Sequence, residues 1–509
     1  MQNARVRRDL LVLGVGAGLG AAGVLIAIGL GAPSEMHSPA DPSREPEPDT
    51  SPVAGRPSTP SPLGPMRFLV VGGGDGPASN QVSLEQDVAL ATRVLSGPGR
   101  ILFAGGANSQ GVQELTDADR GDPLMRELGT LLAPRAGRDA VYRPTDLRAD
   151  GPFTRAALVD ALTAGLGQPD PRPLLVYVAA HGDLGERARD NVLILWGGST
   201  LSVSELAALL DESPAPRPLR LVITSCYSGG FAELVFEAAD PARGPTRHDV
   251  CGVFASTWDD TASGCDPEPD RGAQEAYGLH LLHALAGLDR DGAPLPRDTL
   301  DLDRDGRISL LEAHTRVRIA SESVDVPTTT SERWLRQVAP ASGPERDVTL
   351  PEEAAVMAAL GARLGVEGLG DATTRLNALE ARLDAASGPL EVAEADSEDA
   401  AADLAAALLA RWPVLDDPWH PDFHATWTGH REAIVRFVER APEAVAWREA
   451  EAELERRADV YDALSIEAVP LRRYVRAQET VTFARRLAAT GGPSWARYER
   501  FLACERESP

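Results

Sequence analysis

Positive charge and cysteine are the two things this chain has little of. Its 50 lysines and arginines face 76 aspartates and glutamates, a formal net charge of −26. That balance leaves no basic face of the kind that grips a phosphate backbone, and nucleic acid is excluded as a partner. The four cysteines in 509 residues, at positions 226, 251, 265 and 504, include no CxxC and no Cys/His pair at ligand spacing. A structural zinc centre is thereby excluded. The run Gly72-Gly73-Gly74 lacks the GxGxxG spacing and no helix opens directly behind it, so a dinucleotide site is not supported. Aromatics, at 5%, are too few to point to any function.

What is present divides the chain into segments, and its length exceeds one ordinary core. Residues 1–32 place Arg5, Arg7 and Arg8 ahead of Leu10–Ala32, an uncharged apolar run long enough to cross about 30 Å of hydrocarbon. The arginines would stay inside and the body outside, so the expectation is a membrane anchor with an extracytoplasmic body. A cleaved signal peptide and a secreted product form the alternative. Residues 33–65, rich in Pro, Ser, Asp and Glu without an apolar period, read as a disordered tether.

From Met66 the pattern alternates. Met66–Val71 reads as a strand, Ser83-Leu-Glu-Gln86 as a capping box opening a helix to Leu95, and Arg100–Phe103 as a second strand. Phe153–Leu166 is a helix with Thr154 near its cap, and Leu174–Ala180 is a third strand that runs straight into His181-Gly182. Asn191–Trp196 is a short strand or hairpin, Ser202–Leu210 a helix, and Leu219–Ile223 a buried strand ending in Thr224-Ser-Cys226-Tyr-Ser-Gly229-Gly230, where a tight turn and a helix start are expected. Short βα connections imply a mainly parallel sheet with helices on both faces, an α/β fold. Two strand ends of one sheet then place His181 and Cys226 side by side, at the edge where such sheets assemble sites. A thiol, an imidazole and glycine-rich turns are what acyl transfer needs. Cys226 is the nucleophile and His181 the acid and base, while the backbone N–H groups of Gly182 and Cys226 receive the oxyanion.

VYVAAHG followed by a helix and LVITSCYSGGF resembles the caspase-related cysteine peptidases, most closely their legumain branch, over about Met66 to Arg336. The resemblance implies that residues 66–340 form a caspase-like domain hydrolysing peptide bonds in a peptide or protein through a thioester. It further implies that Asn80 orients the histidine and that Ser256, Thr257 and Asp259, in the segment CGVFASTWDDTASGCD, wall the specificity pocket. Thr224 departs from the family, standing where legumains carry Glu, caspases Gln and metacaspases Asp, so the preferred residue stays open. A transpeptidase or ligase using the same dyad, and an inactive peptide-binding scaffold, are the alternatives. With Cys226 kept free, Cys251 and Cys265 form the expected bridge outside a membrane, or else stand unpaired as small apolar residues.

Asp301-Leu-Asp303-Arg-Asp305-Gly306-Arg307-Ile-Ser309-Leu-Leu-Glu312 matches the calcium loop of an EF-hand position by position. Carboxylates stand at one, three and five, the turn glycine at six, a backbone carbonyl ligand at seven, serine at nine and glutamate at twelve. Calcium is the one cofactor expected, and no organic cofactor is. Residues 350–509 change to helical spacing in several antiparallel segments, interrupted at Gly370 and at Trp412–Pro421, and read as an all-α region for a protein partner. The Trp412, Trp419, Trp427, His424 and His430 group reads as packing.

Overall fold

The computed structural model describes residues 66–107, 110–115, 122–132, 140–213 and 216–509. The expected anchor and tether, residues 1–32 and 33–65, lie outside them. In chain order the first part contains β1 (Phe68–Gly73), α1 (Val82–Val94), β2 (Gly99–Phe103), β3 (Gln110–Leu115), α2 (Pro123–Leu131), β4 (Ala140–Pro144), α3 (Arg155–Leu166) and β5 (Leu174–Ala180). It continues with β6 (Gly182–Asp183), β7 (Val192–Leu195), β8 (Ser199–Ser202), α4 (Val203–Glu212), β9 (Leu219–Ile223), β10 (Val250–Phe254), α5 (Tyr277–Leu285), α6 (Leu310–Ala320) and β11 (Thr328–Thr329). Six strands form one sheet in the order β11-β10-β9-β5-β1-β2. All pairs are parallel except β10 with β11, where Val253 lies opposite Thr329.

Apolar runs rather than alternating patterns build this sheet because both its faces are covered. Leu69, Val71, Val176, Val178, Leu221 and Ile223 meet α3 and α4 through Leu158, Leu162, Leu206 and Leu210. The residues between them, Val70, Tyr177, Ala179 and Val222, meet α1, α5 and α6 through Val88, Leu282, Ala313 and Val317. Each such aliphatic side chain contributes roughly 1.5–3 kcal/mol on full burial. The central register, with Tyr177 opposite Val222, brings the carboxyl ends of β5 and β9 level with one another. His181 and Cys226 therefore follow neighbouring strand ends.

Two local expectations are corrected. α1 begins after Gln81, and the capping box foreseen at Ser83 does not form; Ser83 Oγ instead accepts the Asp266 N–H at 2.7 Å. Behind Cys226 the chain makes a 3-10 turn from Ser228 to Val235 in place of an α-helix.

The remainder is helical: α7 (Thr330–Val338), α8 (Pro351–Leu364), α9 (Leu369–Arg411), α10 (Phe423–Arg440), α11 (Pro442–Thr490) and α12 (Gly492–Glu505). α9 is one 43-residue helix with Pro389 inside, and Pro470 lies inside the 49-residue α11. Gly370 also falls within α9. Ser397 pairs with Glu451 and Glu380 with Arg472, so α9 and α11 run antiparallel. Trp412 and Trp427 pack in a small core, as expected, while Trp419 is exposed.

The helices share a core with the sheet side. Phe236, Trp334, Leu335, Leu487, Tyr498 and Phe501 form one cluster. The disulfide joins Cys251 of β10 to Cys504 of α12, not to Cys265. Cys251 is the second residue of a buried strand that α12 packs against, so a residue in the loop beyond the far end of that strand is not its neighbour.

Candidate active site

β5 delivers His181 to the carboxyl edge of the sheet. Its Nε2 lies 2.8 Å from the Ser79 carbonyl oxygen and 3.1 Å from Gln81 Oε1. Both atoms can only accept, so Nε2 carries the proton and Nδ1 is the unprotonated, accepting nitrogen. Burial holds the imidazole below its ordinary pKa, with the Ser79 carbonyl opposing. The contact expected of Asn80 is thus made by the residues on either side of it. The Asn80 side chain is fully buried elsewhere, its Oδ1 accepting from Gly74 N (3.1 Å) and its Nδ2 donating to the Gly111 carbonyl (2.9 Å). It holds the loop that presents Ser79 and Gln81.

Cys226 is a free, half-buried thiol. The Ala262 N–H donates to its Sγ at 3.3 Å, and the thiol faces the Ala262 carbonyl at 3.5 Å. Burial pushes the thiol up to about 12, Cys265 adds to the shift, and the Ala262 backbone opposes it. Tyr227, next in the chain, is held at φ 57°, a left-handed conformation that a bulky residue keeps only when its surroundings impose it. The constraint is visible: Tyr227 N donates to the Asp260 carbonyl (2.9 Å) and its own carbonyl accepts from Asn191 Nδ2 (3.0 Å). Asn191 also donates to the Trp258 carbonyl (2.6 Å) and accepts from Gly185 N (3.0 Å). One buried amide thereby joins the loop after His181, the Cys226 turn and the loop after β10.

Gly182 packs against this turn so closely that a Cβ there would lie 2.3 Å from the Cys226 carbonyl oxygen. Only glycine fits, and its backbone lies against that of Cys226.

Cys265 is the surprise of the site. It is a second free thiol, and its Sγ lies 3.4 Å from His181 Nδ1. Asp266, beside it, is pinned by Ser83 through N–H to Oγ and N–H to carbonyl bonds. Burial and the negative Asp87, Asp266 and Asp325 push Cys265 up to about 12. Asp325 is wholly buried, accepts from Ser263 N at 2.6 Å, and has no partner on Oδ2 among the described residues. Burial pushes it up to about 6. The loop carrying it is held from α11: the buried Arg473 donates to the carbonyls of Ser321 (2.7 Å), Ser323 (2.9 Å) and Asp325 (2.8 Å).

The expected pocket residues are dispersed. Thr224 Oγ1 donates to the Val178 carbonyl (3.0 Å), and Ser256 is buried beneath the turn with its N–H on Ser228 Oγ (3.2 Å). Thr257 donates to Asp259 (2.8 Å), which lies on the exposed rim beside Trp258.

In the acidic loop, Asp301, Asp303 and Asp305 converge, with one carboxylate oxygen of each within 4.8 Å of the others. Gly306 N donates to Asp301 Oδ2, Asp305 N to Asp303 and Arg307 N to Asp305. Glu312 stands apart from that group. Its Oε1 accepts Leu302 N (2.7 Å) and its Oε2 accepts Ser309 N (2.8 Å) and Ser309 Oγ (2.9 Å), a capping box for α6. No helix enters the loop directly; a 3-10 turn from Arg297 to Thr299 precedes it.

No protein-family model matches the chain, and no curated protein does. Among solved structures, a Geobacter sulfurreducens protein matches 52% of this chain and 93% of its own, at 13% identity and a TM-score of 0.28. A likeness that slight carries no argument about fold or function.

Proposed function

We propose that the chain is a cysteine endopeptidase of the caspase and legumain type, acting through Cys226 and His181. The observation that carries this reading is the orientation of His181. Its Nε2–H is held by the Ser79 carbonyl, which leaves the basic Nδ1 directed into a thiol-bearing cleft at the sheet edge. In the proposed reaction Nδ1 takes the Cys226 proton as the sulfur attacks the peptide carbonyl. The N–H groups of Gly182 and Cys226 hold the oxyanion, and the imidazolium protonates the leaving amine. His181 then draws a proton from water, which cleaves the thioester and frees Cys226. A body outside the membrane, anchored through residues 1–32, belongs to the same proposal, and the Cys251–Cys504 bridge suits an oxidising compartment.

A specific observation favours the inactive scaffold as second reading: both thiols are raised to about 12, and Cys265 rather than Cys226 touches the histidine. Turnover of a diverse peptide library separates the two. Wild type is expected to cleave, Cys226→Ala and His181→Ala to lose at least about a thousandfold in rate, and Cys265→Ala to retain cleavage. Equal turnover by wild type and Cys226→Ala removes the proposal, and peptide capture without cleavage selects the scaffold.

A further inference from the structure

We infer that Cys226 and Cys265 form a reversible disulfide, a redox switch that ties the loop after β10 to the turn after β9 and takes the Cys226 sulfur out of the cleft. The inference does not depend on the peptidase reading.

The supply of thiols comes first. All four cysteines lie among the described residues, and Cys251 is already joined to Cys504. The two that remain, Cys226 and Cys265, are free and partly exposed, so each has only the other as a partner within the chain.

Position follows from the surroundings of His181. Gly182, directly after it, packs on the Cys226 carbonyl, while Cys265 Sγ lies 3.4 Å from His181 Nδ1. A single short loop reaches both sulfurs. Its Ala262 touches Cys226 Sγ through its N–H (3.3 Å) and its carbonyl (3.5 Å), and Cys265 is the third residue along, at most about 10 Å of chain away. Gly264 turns the chain between them at φ 131°, where other residues are rarely found. After burial itself, Cys265 is the neighbour that raises the Cys226 thiol most, ahead of Asp325, so the two sulfurs act on one another. Packing on the core behind the sheet accounts for the burial of Cys265. It does not account for a thiol set against an unprotonated imidazole nitrogen.

That nitrogen gives the exchange a starting point. Nδ1 takes the Cys265 proton, and the thiolate attacks one sulfur of a small disulfide such as oxidised glutathione, whose S–S bond breaks to leave a mixed disulfide on Cys265 and one glutathione thiolate. Cys226 then gives up its proton and attacks the Cys265 sulfur, expelling the second glutathione thiolate. Both thiolates pick up the released protons. Two protein thiols are thereby oxidised and one glutathione disulfide is reduced to two thiols. The product also suits the site: burial and nearby acids, Asp325 among them for each, disfavour a thiolate at either position, and a disulfide carries no charge. The loop is anchored on both sides of Cys265, at Ser263 by Asp325 (2.6 Å) and at Asp266 by Ser83 (2.7 Å). A bond from Cys226 to a loop held in this way closes the cleft over His181.

The test uses the full chain with its Cys251–Cys504 bridge intact, equilibrated in glutathione buffers, quenched in acid and mapped by peptide mass. Oxidising buffer is expected to yield a peptide pair linked through Cys226 and Cys265 with glutathione on neither. Each bond formed releases two glutathione thiols, so a tenfold dilution of the buffer at a fixed ratio of oxidised to reduced glutathione should raise the ratio of linked to reduced protein about tenfold. A mixed disulfide releases one and does not respond to that dilution. Iodoacetamide alkylation of Cys226 in the folded chain should fall at least about tenfold on oxidation and recover with dithiothreitol. In Cys265→Ser, oxidation is expected to stop at a glutathione adduct on Cys226 whose amount is unchanged by dilution. Should that variant fail to fold, the wild-type dilution series decides alone. Glutathione on separate cysteines of wild type without the 226–265 link overturns the inference. So does protection of Cys226 that ignores dilution.

Discussion

Burial raises the Cys226 thiol to about 12 and lowers the His181 imidazole, which favours the neutral form of each. The thiolate is the reactive form, so reactivity in the free protein follows hydroxide. Iodoacetamide alkylation of Cys226, read by peptide mapping, is expected to quicken about tenfold per pH unit between about pH 7 and pH 10. A plateau at neutral pH would show a resting ion pair instead. At this scale the sequence was legible where a residue type is diagnostic. A histidine and a cysteine ending neighbouring apolar strands could be placed together, and Gly182 could be assigned to a close approach. Asn191 could not, since a polar residue ahead of a strand looks like any loop residue and its three bonds reach three separate loops. Cys265 was legible only as a candidate for a bridge. Its contact with His181 depends on Ser83 gripping Asp266 from 183 residues away, a pairing no local pattern encodes. Asp325 had no signal at all.

Elements repeat the contrast. β5 and β9 were readable to the residue because a strand buried on both faces is a continuous apolar run with polar ends. The long helices were not, because a proline inside a helix costs about 3 kcal/mol and ordinarily ends it. Here the next residues, Leu390 after Pro389 and Leu471 after Pro470, are buried between α9 and α11 and carry the helix through. α12 makes its own test. Its Glu505 accepts from Thr330 Oγ1, Ser331 N and Ser331 Oγ, yet burial pushes it up from 4.5 to about 7. Between these values the folded chain holds a proton that the unfolded chain has released, so stability falls as pH rises through this window. Glu505→Gln imitates the protonated acid. Its Tm relative to wild type is expected to be near zero below about pH 4.5 and to grow more positive up to about pH 7, where it levels. A difference that does not vary between pH 5 and pH 8 would contradict the assignment.

For the whole molecule, the Cys251–Cys504 bridge closes a separation of 253 residues and ties the outer part of the sheet to the last helix. Its loss in a Cys251→Ala, Cys504→Ala variant is expected to lower unfolding stability in urea by about 2–4 kcal/mol. Cys226 should still alkylate at the wild-type rate, since neither cysteine touches the site loops. An unchanged urea midpoint would show that the helices dock without the bridge. The contact of Arg220 with Glu507 spans 287 residues, and that of Arg473 with the Asp325 carbonyl spans 148. Contacts of such range are the slowest to form, because a long chain must close before any of them is rewarded. Refolding should therefore proceed in two stages, with the parallel sheet collapsing first and the Asp325 side of the cleft setting only when α11 and α12 arrive. In that interval His181 and Cys226 would already stand at their strand ends in a half-built cleft. The helical region is then the clock of the molecule, deciding when the cleft at the sheet edge acquires its last wall.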